Sequence, residues 1–161
     1  MPARPTLTAA DTDTADEPFD QSELLDLVGY NIRRAYLVVQ ADFEASMAKL
    51  ELRQAEFGVL SSLRGNPGVN QKALADALAL APPNLAILLD RLEARGLVVR
   101  QRSTDDKRVQ LVSLTPQGVR LHARALKAAA AADAQSIGAL SPAEAEQLKT
   151  LLRKMFVRRD G

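Results

Sequence analysis

Between Asn70 and Thr115 the hydrophobic pattern changes period, and that change limits the folds open to the chain. The segment NQKALADALALAPPNLAILLDRLEARGLVVRQRSTDDKRVQLVSLT opens with two short helical patterns and closes with two strand-like ones. Asn70 is a good N-cap for a first helix with Ala73, Leu74, Ala77 and Leu78 on its apolar face. Ala81-Pro82-Pro83 breaks that pattern, because proline ends one helix or opens the next. The second helix carries Leu85, Leu88, Leu89 and Leu92 on one side and turns Asn84, Ala86, Ile87, Asp90 and Arg91 away from it. Gly96 can take the left-handed conformation that stops this helix. Leu97 to Arg100 and Val109 to Leu114 then read as a hairpin around the polar tip Arg102 to Arg108.

Two short helices, a turn and a charged hairpin make the plan of a winged helix-turn-helix. As a set, LDRLEARGLVVR, DDKR and VQLVSLTPQG resemble the MarR (multiple antibiotic resistance regulator) family of bacterial transcription factors, and the likeness extends from about Leu24 to Val157. The resemblance implies a mainly α fold with a small β-wing, in which helices from both termini dimerise. It also implies double-stranded DNA and a second copy of the chain as partners, repression as the function, and no enzymatic activity.

The domain plan expected is an acidic disordered tail over residues 1–20, an N-terminal dimerisation helix over 21–50, the DNA-binding domain over 53–115 and C-terminal dimerisation helices over 116–158. Within it, Ser22 is expected to cap one long helix reaching Lys49, and Gln54 to Arg64 forms a helix that ends at the turn Gly65-Asn66-Pro67-Gly68. Thr115-Pro116 opens a helix through the alanine-rich run to Ser136, and the capping box Ser141-Pro142-Ala143-Glu144 opens the last one. That last helix leaves Leu148, Leu151, Leu152 and Met155 as an apolar stripe for a partner.

Charge agrees with a nucleic-acid partner. Of 21 basic and 20 acidic residues, one and seven fall in residues 1–26, which leaves 20 basic against 13 acidic in 27–161. The absence of cysteine excludes disulfides, thiolate metal sites and cysteine redox sensing. No apolar run reaches the length of a membrane span and no leader pattern is present, so a cytoplasmic protein without membrane contact is expected. Neither a nucleophile-base-acid set nor a metal-ligand cluster recurs at usable spacing, so no catalytic residue, metal or cofactor is expected.

For DNA, Pro83, Asn84, Ala86, Ile87 and Arg91 on the second helix can meet a groove, with Asn84 suited to adenine and Arg91 to guanine or phosphate. Arg91 and Asp90 can equally be an ordinary solvated helix face. Two prolines and apolar groups stand where the commoner family pattern has hydroxyl or basic residues, which shifts the expected specificity toward shape readout by the wing. By the resemblance Arg108 is the wing arginine of the minor groove, Arg102 and Lys107 lie near phosphates, and Asp106 orients the wing. Gln71, Lys72 and Arg64 are further phosphate candidates.

The resemblance also implies a small phenolic or carboxylate effector that releases DNA. Tyr30 lies one turn from Arg33 and Arg34, a set able to hold an aromatic acid or the phosphates of its coenzyme A thioester, or equally to form salt bridges with nearby acids. His122 is the single histidine, on a helix the family uses to line its pocket, and can be a ligand contact or a structural group. An alternative reading keeps the fold but makes it a protein-interaction module without specific DNA binding.

Overall fold

The structure, a computed structural model, describes residues 19–104 and 106–156. The acidic tail expected over residues 1–20 lies outside the described residues except for Phe19 and Asp20, as do Asp105 of the wing tip and residues 157–158. Two compact units divide between Ala35 and Tyr36.

The division falls within the helix Val28–Ala48, and inside the first unit the single long helix expected from Ser22 is interrupted. A short helix α1 (Ser22–Leu25) precedes α2 (Val28–Ala48), and Asp26 and Leu27 lie between them. Asn31 bridges the break: its Nδ2 donates to the carbonyls of Leu25 at 2.6 Å and Leu27 at 2.9 Å, the latter also accepting the Asn31 backbone N–H at 3.1 Å. Ser22 is not the cap. Gln21 occupies that position, and the Ser22 N–H donates to Asp20 Oδ1 at 2.9 Å.

The second unit continues with α3 (Gln54–Gly65), β1 (Val69–Asn70), α4 (Gln71–Ala77), α5 (Pro82–Ala94), β2 (Val98–Arg102), β3 (Gln110–Leu114), α6 (Pro116–Ser136) and α7 (Pro142–Phe156). The three strands form an antiparallel sheet in the order β1-β3-β2, with Val98 opposite Leu114, Arg102 opposite Gln110 and Val69 opposite Val112. The expected fold class is therefore present, with one strand more than the hairpin predicts. β1 has two residues, too few for any alternation to register in the sequence. The hairpin strands also begin one residue later than the sequence pattern suggests, at Val98 and Gln110.

Local chemistry sets the ends of these elements. The Asn70 side chain accepts from the backbone N–H of Lys72 and Ala73, Pro82 opens α5, and Gly96 stops it at φ +67°. Leu85, Leu89 and Leu92 of α5 are fully buried against Leu60 and Leu63 of α3, Leu74 of α4 and Val112 of β3 in one core. On α4 the buried pair is Leu74 and Ala75, with Leu78 half-buried. Ala73 and Ala77, expected on the inner face, are exposed, since the face that joins the core runs through Leu74 and Ala75. α4 and α5 are bent by 111°, within the range of a helix-turn-helix. Among the described residues no single helix is long and apolar enough to cross a membrane.

Candidate nucleic-acid interface

The N-terminus of α4, the first turn of α5 and the foot of the wing enclose a cleft of about 470 Å³, lined by Gln71, Lys72, Pro82, Arg108 and Gln110 among others. Residues far apart in sequence are thus brought to one place. Lys72 and Arg108 are exposed there, and Gln71 is half-buried. The Gln71 Oε1 is buried and has no hydrogen-bond partner among the described residues.

Beside the cleft, α5 exposes Pro83, Asn84, Ile87, Asp90 and Arg91, while Ala86 is half-buried. Ile87, with 51% of its surface exposed, is a large apolar group facing solvent in the middle of this surface. Arg91 stands apart from the cleft that holds Arg108: it borders a second one of about 390 Å³ with Glu51, Arg53 and Glu56.

The wing is ordered by its own acid. Asp106 Oδ1 accepts the backbone N–H of Arg108 at 2.9 Å, and the Asp106 carbonyl accepts that of Val109 at 2.9 Å, which closes the turn and leaves the Lys107 and Arg108 side chains exposed. Arg102 is exposed at the far end of β2. Arg64, at the end of α3, is exposed, and its charge acts on His122.

Two arginines that the sequence reading passed over hold this surface together. Arg100 on β2 pairs with Asp90 at 2.7 Å and donates through Nε to Glu93 at 2.9 Å, joining the wing to α5. Arg95, at the end of α5, donates to the Glu51 carbonyl at 2.8 Å and approaches the buried Glu56 carboxylate at 3.8 Å. Glu51 itself has φ +53°, so Arg95 ties the end of α5 to a strained residue between α2 and α3. Nothing in local periodicity marks either arginine, since both kinds of partner are set by tertiary packing.

The proposed ligand residues fall in different units. In the first, the Tyr30 hydroxyl donates to Gln21 Oε1 at 2.7 Å and accepts from Arg34 Nη1 at 3.2 Å, with the Arg34 guanidinium 5.9 Å from the ring centre. Arg33 is exposed. Arg34 also borders an open cleft of about 740 Å³ with Phe19, Gln21 and Leu25. His122 lies on α6 in the second unit, only 7% exposed and stacked on Phe57 with ring centres 6.2 Å apart. Burial, with the nearby Arg64 charge, holds its pKa below the ordinary imidazole value.

The MarR family model matches residues 52–109, the segment from α3 to the wing. Transcriptional regulator HosA of Escherichia coli is 35% identical over 106 residues, covering 66% of this chain and 78% of that one. The chain belongs to the MarR family. Among solved structures, this MarR-family regulator is similar to the transcriptional repressor CouR bound to a 23-mer DNA duplex, with 36% identity, a TM-score of 0.81, and 86% of this chain and 99% of that one covered. CouR from Rhodococcus jostii RHA1 bound to p-coumaroyl-CoA is 26% identical with a TM-score of 0.75, covering 88% of this chain and 99% of that one. The relatives are transcriptional regulators rather than enzymes, and the chain shares their winged-helix fold.

Proposed function

We propose that this MarR-family protein is a homodimeric cytoplasmic repressor that binds a pseudo-palindromic operator and is released from it by a small aromatic carboxylate or its coenzyme A thioester. The observation that carries the reading is the cleft that gathers Gln71, Lys72 and Arg108 beside the exposed face of α5. Lys72 at a helix N-terminus and Arg108 on the wing are cations of the kind that contact phosphates and grooves of duplex DNA. The DNA-bound state of the similar CouR supports it.

Dimerisation is supported by apolar surface left after the core is filled. On α7, Leu148, Leu151, Leu152 and Met155 are each at least 38% exposed along one stripe. The first unit separately exposes Leu24, Leu25, Leu27 and Val28. Twofold pairing would double the contacts of a module that alone spans few base pairs.

The effector reading rests on Tyr30 and Arg34. The Tyr30 hydroxyl accepts from Arg34, which borders an open cleft, a pairing suited to a phenolate, carboxylate or phosphate. The p-coumaroyl-CoA complex of the similar CouR supports that ligand class. No cofactor is required by this scheme.

Fluorescence anisotropy on labelled duplex from upstream of the chain's own gene tests it, with a panel of aromatic acids and their coenzyme A thioesters added in turn. Release by one compound, blunted in Arg34→Ala with DNA affinity retained, is the expected result. Failure to bind any upstream duplex at low salt would contradict it and favour a protein-docking module, for which the exposed Pro83 and Ile87 would be the apolar contacts.

A further inference from the structure

Asp90 is an awkward residue for a surface that faces phosphates. It stands four residues after Ala86 and three after Ile87, on the outward side of α5, with 62% of its side chain exposed. An unpaired carboxylate there would repel the nucleic-acid backbone, and Glu93 lies three residues further on the same side.

Arg100 answers both charges. Its Nη2 is 2.7 Å from Asp90 Oδ1, its Nε donates to Glu93 Oε2 at 2.9 Å, and its backbone N–H donates to Glu93 Oε1 at 3.2 Å. Nη2 also meets Glu93 Oε2, so one guanidinium is shared by two carboxylates. The Arg100 side chain is only 21% exposed, consistent with a group committed to the protein rather than held out to solvent. The arrangement crosses from the middle of a wing strand to the last two turns of α5, so it fixes the direction of the wing as well as the charge between wing and helix.

We propose that Arg100 is a positioning residue for DNA recognition: it pins the wing to α5 and masks the Asp90 and Glu93 carboxylates that would otherwise oppose phosphate. The inference rests on the reading of this face as the DNA interface. It assigns a distinct role to an arginine whose place on a basic wing suggests a phosphate contact. Hydrogen bonding to Arg100 holds the Glu93 carboxyl below its ordinary pKa, and the same bonds raise that of Arg100, so both partners stay charged where DNA binding is measured.

The test compares wild type, Arg100→Gln, Asp90→Asn and the double variant by anisotropy on the upstream duplex across a salt series, with circular dichroism to confirm folding. Arg100→Gln should weaken binding roughly tenfold, the scale of about 1.4 kcal/mol for exposed like charge. Asp90→Asn alone should stay within about threefold of wild type, since it removes an acid that touches no DNA. The double variant should recover part of the loss, the share due to the bared Asp90 carboxylate, since Glu93 stays unpaired and the wing unpinned, and should keep the wild-type salt slope. A lack of recovery, with the slope of both Arg100 variants lower by about 1, would make Arg100 a phosphate contact and overturn the proposal. A loss of roughly tenfold in Asp90→Asn alone, with altered base preference, would make Asp90 a reader and overturn it too.

Should Arg100→Gln lose its fold, Arg100→Lys carries the test, because it keeps the charge without the two-sided guanidinium geometry. Its weakened binding should improve on adding Asp90→Asn, and absence of improvement would overturn the proposal. Failed recovery in a protein that binds DNA removes this inference alone, whereas a wild type with no salt-sensitive binding removes the interface itself.

Discussion

Gly118 of α6 lies directly against the Leu97 carbonyl at the foot of the wing: a Cβ at position 118 would stand 2.0 Å from that oxygen and 3.0 Å from its carbon. The contact is made by backbone, so no side chain can yield. It is also sealed from both sides, since the Thr115 N–H donates to the Leu97 carbonyl at 3.0 Å and the Thr115 hydroxyl accepts the Gly118 N–H at 3.0 Å. The close approach explains why a glycine follows Thr-Pro-Gln in this chain.

Gly118→Ala should therefore destabilise the fold by about 3 kcal/mol, at the upper end of ordinary overpacking, because α6 must move off the wing. Urea unfolding followed by circular dichroism checks it. Gly65→Ala, where a Cβ meets nothing within 4 Å, is the control and should change stability little.

Stability should also fall with pH through His122. Its folded pKa is depressed below 6.5, so at pH values between the two the unfolded chain binds more protons than the native one. The resulting slope is positive: the stability is present above 6.5 and is lost as pH falls through that value toward the folded pKa. His122→Gln should flatten the stability profile in that window, measured by chemical denaturation at a series of pH values.

Asn70 caps α4 through two backbone amides, at 2.7 Å to Lys72 and 3.4 Å to Ala73. Asn70→Ala should cost about 1 kcal/mol, and Asn70→Asp should retain the cap. The midpoint of urea unfolding for the two variants distinguishes them.

These positions show which parts of the molecule are written locally. Asn70, Pro82, Gly96, Thr115 and Ser141 act on atoms within a few residues, so cap and stop signals placed α4, α5, α6 and α7 correctly. The leucine spacing of α5 likewise announced its buried side. The break at Asp26 and Leu27 was hidden because helical periodicity continues across it, and only the reach of Asn31 to two carbonyls reveals it. Ala73 and Ala77 were misplaced on the inner face, and Ala75 was left out of it, because a two-turn helix of alanines and leucines offers more than one apolar face. For the site, Lys72 and Arg108 were legible as exposed cations on a basic module. Their shared cleft was not, because it depends on a hairpin folding back over α4. Arg95 illustrates the same limit, since its Glu51 partner is 44 residues away.

The apolar stripe of α7 predicts a stoichiometry. Leu151→Glu with Met155→Glu places two charges on surface proposed to be covered in the dimer. It should yield a folded monomer by sedimentation and weaken operator binding by more than roughly tenfold, since half of the contacts are lost.

The most direct measurement is the salt dependence of anisotropy on upstream duplex for wild type and Arg108→Ala. Wild-type affinity should fall steeply and linearly on logarithmic axes, and Arg108→Ala should bind more weakly with a slope lower by about 1 for each contact removed. Equal affinity and equal slope in a folded Arg108→Ala would contradict the account, because the wing that closes the cleft beside Lys72 would then make no contact with DNA.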